Sequence, residues 1–373
     1  MTQICADRKS ICVHLRNLRT IFVERPPMPV LSHTALSEMM YEMFAKAGAP
    51  PDEARIVSDH LIESSLMGHD SHGVWRATGY AKGMQKGVSP ASGYEIVKET
   101  PATRVIDAKG GLGIVAAYKA MEGAVEKARS RTFGAVGIHR CGHCGRLGAF
   151  PMLAAREGMI GLCFLNGGAR FTAPFGGTSR RIPPNPLSVA FPRREGEPVM
   201  LDVTTSVVAG GKIQVKEARG EKLPEGWMID AEGKHVDDPA RFMKDAAVLP
   251  LGGFQFGHKG FGLGLVIEAL AGGLTWAGCS SEKPTRGASG FLAMAINIAD
   301  FIPLSDFEQE IERLVEWVKS SDRLPGVEEI LVPGEVEQRA REQRIREGIY
   351  VEDRTWNEMV ETARELGVEA PKA

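Results

Sequence analysis

The longest apolar stretch of this chain, FGLGLVIEALAGGLTWAGC over Phe261–Cys279, decides the solvent in which it folds. A helix that crosses a bilayer needs about 20 predominantly apolar residues. This stretch carries Glu268 inside it and is interrupted by five glycines, so it is read as a buried helix of a soluble protein. On either side, helical and strand-like periods alternate. Apolar residues recur at helical spacing in HTALSEMMYEMFAKAG, PPDEARIVSDHLIESSLMG, IVAAYKAMEGAVEKARS and three C-terminal runs from residue 304 onward. Short runs such as TRVIDA, FGAVGI, MIGLCFL, LSVAF, VMLDV and FLAMAINI read as strands. Helices interleaved with strands predict an α/β or α+β fold.

Composition narrows the function. The 45 basic and 47 acidic residues are interspersed and leave a net charge of −2, so neither a nucleic acid nor a membrane surface is expected as a partner. Six cysteines in 373 residues are too sparse for a disulfide scaffold, and free thiols in a reducing cytoplasm are expected. The basic start lacks the apolar core of a secretory signal. Residues 1–30 look separate from the fold, as a disordered extension or a misplaced start, since Met28 immediately precedes the first convincing helix.

Four segments could carry chemistry. GGLGIVAA, with Gly111, Gly113 and Ala116, fits G-x-G-x-x-A between a strand and a helix. A dinucleotide fingerprint also needs an acidic residue about 20 positions on, and none follows FGAVGI; the run is read as a glycine-rich helix entrance. Cys141-Gly-His-Cys144 suits a low-pKa thiolate, but no thioredoxin-like layout surrounds it, and zinc would require two further nearby ligands. A thiol–disulfide oxidoreductase using Cys141 and Cys144 stays as the rival reading; His143 between them is the stronger candidate. In GHDSHGVWRATGY, His72, Arg76 and Tyr80 follow at i, i+4 and i+8, on one face if the segment is helical. A guanidinium beside an imidazole and a phenol suits a small carboxylate, although a solvated helix face explains the spacing equally well. FGHKGFGLG sets His258 and Lys259 at the apparent entrance of the apolar helix, a natural anion site.

Taken together, GHDSHG (68–73), GHCGRLG (142–148), APFGG (173–177), NPLSVAFP (185–192), LDVTTSVVAGGKI (201–213), PEGWMIDAEGKHVDDP (224–239) and GHKGFGL (257–263) resemble the type II malate/L-lactate dehydrogenase family in order and spacing. That family includes ureidoglycolate and sulfolactate dehydrogenases and Δ1-piperideine-2-carboxylate reductase. The hydroxycarboxylate dehydrogenase B branch is the nearest look-alike. The resemblance implies a non-Rossmann α/β fold with a largely antiparallel sheet and helical layers. It implies an oxidoreductase that interconverts a small 2-hydroxy acid and a 2-oxo acid, or reduces a cyclic imine, with NAD or NADP. It implies a homodimer in the cytoplasm.

The resemblance also assigns roles. His143 would be the general acid/base, for which an ordinary imidazole pKa is well placed. His72, Arg76 and Tyr80 would face the substrate, with His72 also near the cofactor. Gly145, Arg146, Leu147, Asp202, Val203, Thr204, His258, Lys259, Gly334 and Glu335 would contact the cofactor, and no metal is implied. Return of the C-terminal segment to the cofactor implies a discontinuous domain, 31–135 with 300–373, around a central NAD(P)-binding domain, 136–299. This chain departs from the family's usual G-T-N-P in having Pro183-Pro184-Asn185-Pro186. Arg170, Arg180 and Arg181 favour NADP over NAD.

Overall fold

A computed structural model describes residues 30–87, 93–283 and 289–371. The N-terminal extension with Cys5, Cys12 and Met28 lies outside the described residues, apart from Val30. In chain order the elements are β1 (Val30–Leu31), α1 (His33–Lys46), α2 (Pro51–Leu66), α3 (Ala77–Gln85), β2 (Glu95–Glu99), β3 (Thr103–Asp107), α4 (Gly113–Arg131), β4 (Phe133–His139), α5 (Pro151–Arg156) and β5 (Met159–Asn166). There follow β6 (Leu187–Phe191), β7 (Val199–Val203), α6 (Gly210–Ala218), β8 (Met228–Ile229), β9 (His235–Val236), β10 (Ala247–Val248), α7 (Gly253–Ile267), β11 (Gly290–Asn297), α8 (Leu304–Lys319), α9 (Glu335–Glu347), β12 (Ile349–Tyr350) and α10 (Asp353–Glu365).

The principal sheet has seven strands in the order β2-β3-β4-β11-β5-β6-β7. Every neighbouring pair is antiparallel except β3 and β4, which run parallel with α4 as their crossover. A doubly wound nucleotide fold needs a run of parallel strands with repeated crossovers, so this mixed, mainly antiparallel sheet is of another kind. Helix α4 buries Ala117, Met121 and Ala124 against Val136, Ile138 and Phe291 of the sheet. A second apolar cluster draws on both chain ends: Leu36, Met40 and Phe44 of α1 and Leu61 of α2 pack with Ile349, Met359 and Ala363. The two-residue strands β1 and β12 pair antiparallel beside it.

Helix α7 corrects one expectation. Its buried positions are Gly257, Gly260, Gly264 and Ile267, spaced three and four apart, so glycines make up most of the inward face. The large side chains therefore point outward: Leu263 is 44% exposed and Val266 53%. The helix then passes into a π-helical stretch, Glu268–Gly273. Glu268 is turned inward, where it accepts hydrogen bonds from the Asn166 and Asn185 amides and from Ser280. No helix among the described residues is long and apolar enough to cross a membrane.

Candidate active site

The loop after β4 carries His143 and is seated on the start of α4. Gly142 donates its N–H to the Gly111 carbonyl at 3.2 Å. A β-carbon at Gly113 would lie 2.1 Å from the Gly142 carbonyl oxygen, so the two backbones meet where no side chain fits. The GGLG run is thus the seat of the histidine loop. The next turn is fixed by Gly145, whose φ of +71° favours glycine. Behind it stands His60, which the sequence reading did not single out. It is fully buried on α2, stacked on Phe150, and its Nε2 accepts the Arg146 N–H at 3.0 Å. Burial, then the positive charge of Arg146, holds the His60 pKa well below the usual imidazole value. A polar imidazole among the buried positions Val57, Leu61 and Ser64 was the available signal.

His72, Arg76 and Tyr80 do not share one straight helix. The chain forms one 3-10 turn over Asp70–His72, extends at Gly73, and forms a second over Val74–Arg76 before α3 begins. The bend nevertheless brings His72 and Tyr80 to His143. The His72 and His143 rings stack with centroids 5.5 Å apart and planes 7° from parallel. The Tyr80 hydroxyl lies 2.6 Å from His143 Nδ1, and the Gly145 N–H donates to the same nitrogen at 3.3 Å. Arg76 donates from Nε to the Ser71 carbonyl, and Ser71 Oγ is 3.0 Å from His72 Nδ1. The His143 side chain faces solvent on one side. Desolvation by the protein on its other sides, then the nearby Arg76 charge, lowers its pKa to about 4. Burial, then His143 and Arg76, brings His72 to about 3. Both rings are neutral at pH 7, which corrects the expectation of an ordinary imidazole pKa at His143.

The flanking thiols have the opposite character to a redox centre. Cys141 and Cys144 are buried with sulfurs 3.6 Å apart. Their mutual hydrogen bond, then burial, pushes the Cys144 thiol well up. A protonated, inaccessible thiol is a poor nucleophile. No group of three or more His, Cys, Asp or Glu side chains that could hold a metal occurs among the described residues.

The remaining expected site residues fall into two sets. Arg146 is buried (3% exposed), and its Nε and Nη1 have no hydrogen-bond partner. Leu147 opens a 3-10 turn, and Asp202 at the end of β7 accepts the Gly148 N–H at 2.6 Å. Burial raises the Asp202 pKa, opposed by His69 and Arg146. Val203 ends β7, and Thr204 donates to the Ser206 carbonyl. Arg146 and Leu147 thus continue the His143 loop, and Asp202 is bonded to its far end. His258 and Lys259 do not stand at a helix entrance: α7 begins at Gly253, following Gly252 with φ +99°, and both lie exposed on its outer side. His258 packs against Phe175, and Lys259 lies over Phe256. Gly334 caps α9 in the left-handed region, and the Glu335 carboxylate is held by Lys319 and the Val332 N–H. Helix α9 does return to the GHDSHG loop: Glu337 meets His69 at 3.5 Å and Arg344 pairs with Asp70.

Comparison with known proteins places this arrangement. The malate/L-lactate dehydrogenase family profile matches residues 31–360. The chain is 36% identical to a malate dehydrogenase of Pyrococcus abyssi over 343 residues, covering 89% of this chain and 94% of the relative. It is 32% identical to hydroxycarboxylate dehydrogenase B of Escherichia coli, covering 89% of this chain and 93% of that one. The crystal structure of malate dehydrogenase from Entamoeba histolytica superposes with a TM-score of 0.88 at 30% identity, covering 93% of this chain and all of that chain. The chain belongs to the type II malate/L-lactate dehydrogenase family.

Proposed function

We propose that this protein interconverts a small 2-hydroxy acid and its 2-oxo acid with NAD or NADP, and that His143 exchanges the proton at the substrate oxygen. The observation that carries the reading is the convergence of the 72–80 stretch, with His72, Arg76 and Tyr80, on the solvent-open imidazole of His143 from the loop after β4. A bound nicotinamide dinucleotide would supply or accept the hydride. The guanidinium of Arg76 supplies the charge to orient a substrate carboxylate near that ring. The neutral His72 lines the same face without competing for the carboxylate. Gly145, Arg146 and Leu147 form the cofactor side together with Asp202, Val203 and Thr204. The fit rests on Arg146, whose buried guanidinium lacks partners at two nitrogens, an arrangement that an anionic phosphate would satisfy.

NADP is the favoured cofactor, on Arg170, Arg180 and Arg181. Two of these also donate to backbone carbonyls, Arg180 to Lys244 and Arg181 to Arg180. We also propose a homodimer in the cytoplasm, supported by the outward apolar face of α7, and a division into 31–135 with 300–373 around 136–299. The test is a screen of oxaloacetate, pyruvate, sulfopyruvate and a cyclic imine carboxylate with NADH and NADPH side by side. Loss of reduced-cofactor absorbance with at least one 2-oxo acid is expected. Turnover of the imine alone, or of no substrate, contradicts the reading.

A further inference from the structure

The lowered pKa of His143 leaves a question about the source of its proton. At neutral pH the imidazole carries only one proton, and the two contacts at Nδ1 determine where it sits. A backbone N–H can only donate, and that of Gly145 points at Nδ1 from 3.3 Å. Nδ1 is therefore unprotonated, and the Tyr80 hydroxyl 2.6 Å away donates to it as well. The single imidazole proton sits on Nε2. If that proton left with no replacement, the ring would be an imidazolate.

We infer that Tyr80 is a positioning residue and proton relay behind His143, fixing the imidazole proton on Nε2 and replacing it through Nδ1 during turnover. The inference rests on His143 being the acid/base group. In the reducing direction the Nε2–H bond breaks as the O–H bond of the product hydroxyl forms. The Tyr80 O–H bond breaks as Nδ1–H forms. The ring ends neutral with its proton on Nδ1, and the phenolate takes its proton back from solvent as the tautomer resets. Oxidation runs the same sequence backwards: the phenol first gives its proton to solvent as the ring shifts to the Nδ1–H tautomer, the substrate hydroxyl proton then passes to Nε2, and the Nδ1 proton returns to the phenolate, restoring the resting state.

The surroundings of the phenol suit this role. The charged or titratable groups facing it are Arg76, Cys144, Cys141 and His143. Burial pushes the phenol pKa well up, so Tyr80 is protonated and able to donate at any working pH. Arg76 is the cation among these neighbours and acts in the opposite direction, stabilising the phenolate during transfer. His143 itself is faced by Arg76, His72 and Tyr80. The same contact gives Tyr80 a role other than binding substrate.

The test uses the full-length protein labelled with ¹⁵N-histidine, with the His143 signals assigned by their loss in His143→Gln. In the wild type, Nε2 should be the protonated nitrogen and Nδ1 the bare one, unchanged between pH 6 and 9. In Tyr80→Phe, which keeps the ring and loses only the hydroxyl, the Nδ1 signal should shift. A proton on Nδ1 in the wild type, or identical signals in Tyr80→Phe, overturns the inference whether or not a substrate is known. In reduction of oxaloacetate or pyruvate with NADPH or NADH, Tyr80→Phe should lose on the order of 10²-fold in kcat with little change in KM. A raised KM at unchanged kcat would instead mark Tyr80 as a substrate-binding group and overturn the relay. Absence of wild-type turnover with every substrate would count against the dehydrogenase reading alone, because the tautomer measurement is independent of it.

Discussion

The imidazoles of His72 and His143 lie face to face, 5.5 Å between centroids and 7° from parallel, although one comes from the loop before α3 and the other from the loop after β4. Two cationic rings at that spacing would repel; burial, then His143 and Arg76, lowers the His72 pKa, and burial, then Arg76, lowers that of His143. The site is built to hold uncharged imidazoles beside a fixed guanidinium.

This arrangement has a consequence for stability. His60 and His72 are held neutral in the folded chain, with pKa values well below 6.5 and about 3. Unfolded imidazoles take up protons below about 6.5, whereas the folded ones do not until much lower pH. Stability is therefore greatest above pH 6.5 and falls as pH drops toward 3. Urea unfolding should show a loss of roughly 2–4 kcal/mol between pH 6.5 and 5. A flat or rising profile over that interval contradicts the neutral-imidazole assignment.

Gly145→Ala should disturb the site and the fold together. The position has φ +71°, and a β-carbon there would lie 2.2 Å from His60 Nε2. Left-handed strain and the displacement of His60 should cost roughly 2 kcal/mol or more. The variant should also lose the Arg146–His60 hydrogen bond and most of its activity. Wild-type stability in this variant contradicts the packing described here.

Replacing both Cys141 and Cys144 with alanine separates the two readings of the C-G-H-C stretch. The thiols are buried and the Cys144 pKa is pushed up, so dehydrogenase turnover should stay within about threefold of wild type, a small loss on the scale of general-acid removal. Loss of all activity with an intact fold would return the thiols to the mechanism.

Val266→Asp tests the outward face of α7. Leu263, Leu265 and Val266 are exposed on that helix, and apolar side chains left exposed on one element are of the kind that mark an interaction surface. Light scattering after size-exclusion chromatography should show a dimer for the wild type and a shift to monomer for the variant. A monomeric wild type contradicts the proposed dimer.

Much of this was legible in the sequence, for identifiable reasons. The strands and most helices were marked by period and by turn residues, as in FGAVGI for β4 and the run that became α4. His72, Tyr80 and His143 stood out because their chemistry is concentrated in two short segments. His60 did not, because its role is a contact with the Arg146 N–H, far away in the chain. The start of α7 was misplaced because GGFQFG carries the glycines of a loop, while only Gly252 and Gly253 take left-handed φ values and the helix runs on from there. Its outward apolar face was hidden because hydropathy does not tell which side of a glycine-striped helix packs inward. The pKa of His143 was misjudged because desolvation and the Arg76 charge depend on folded neighbours.

The central claim is that His143 exchanges the proton at the substrate oxygen, and His143→Ala tests it most directly. Steady-state reduction of whichever 2-oxo acid the wild type accepts should fall by about 10²–10⁴ in kcat. Circular dichroism and cofactor affinity should be unchanged. A folded His143→Ala variant with near-wild-type kcat would contradict the account.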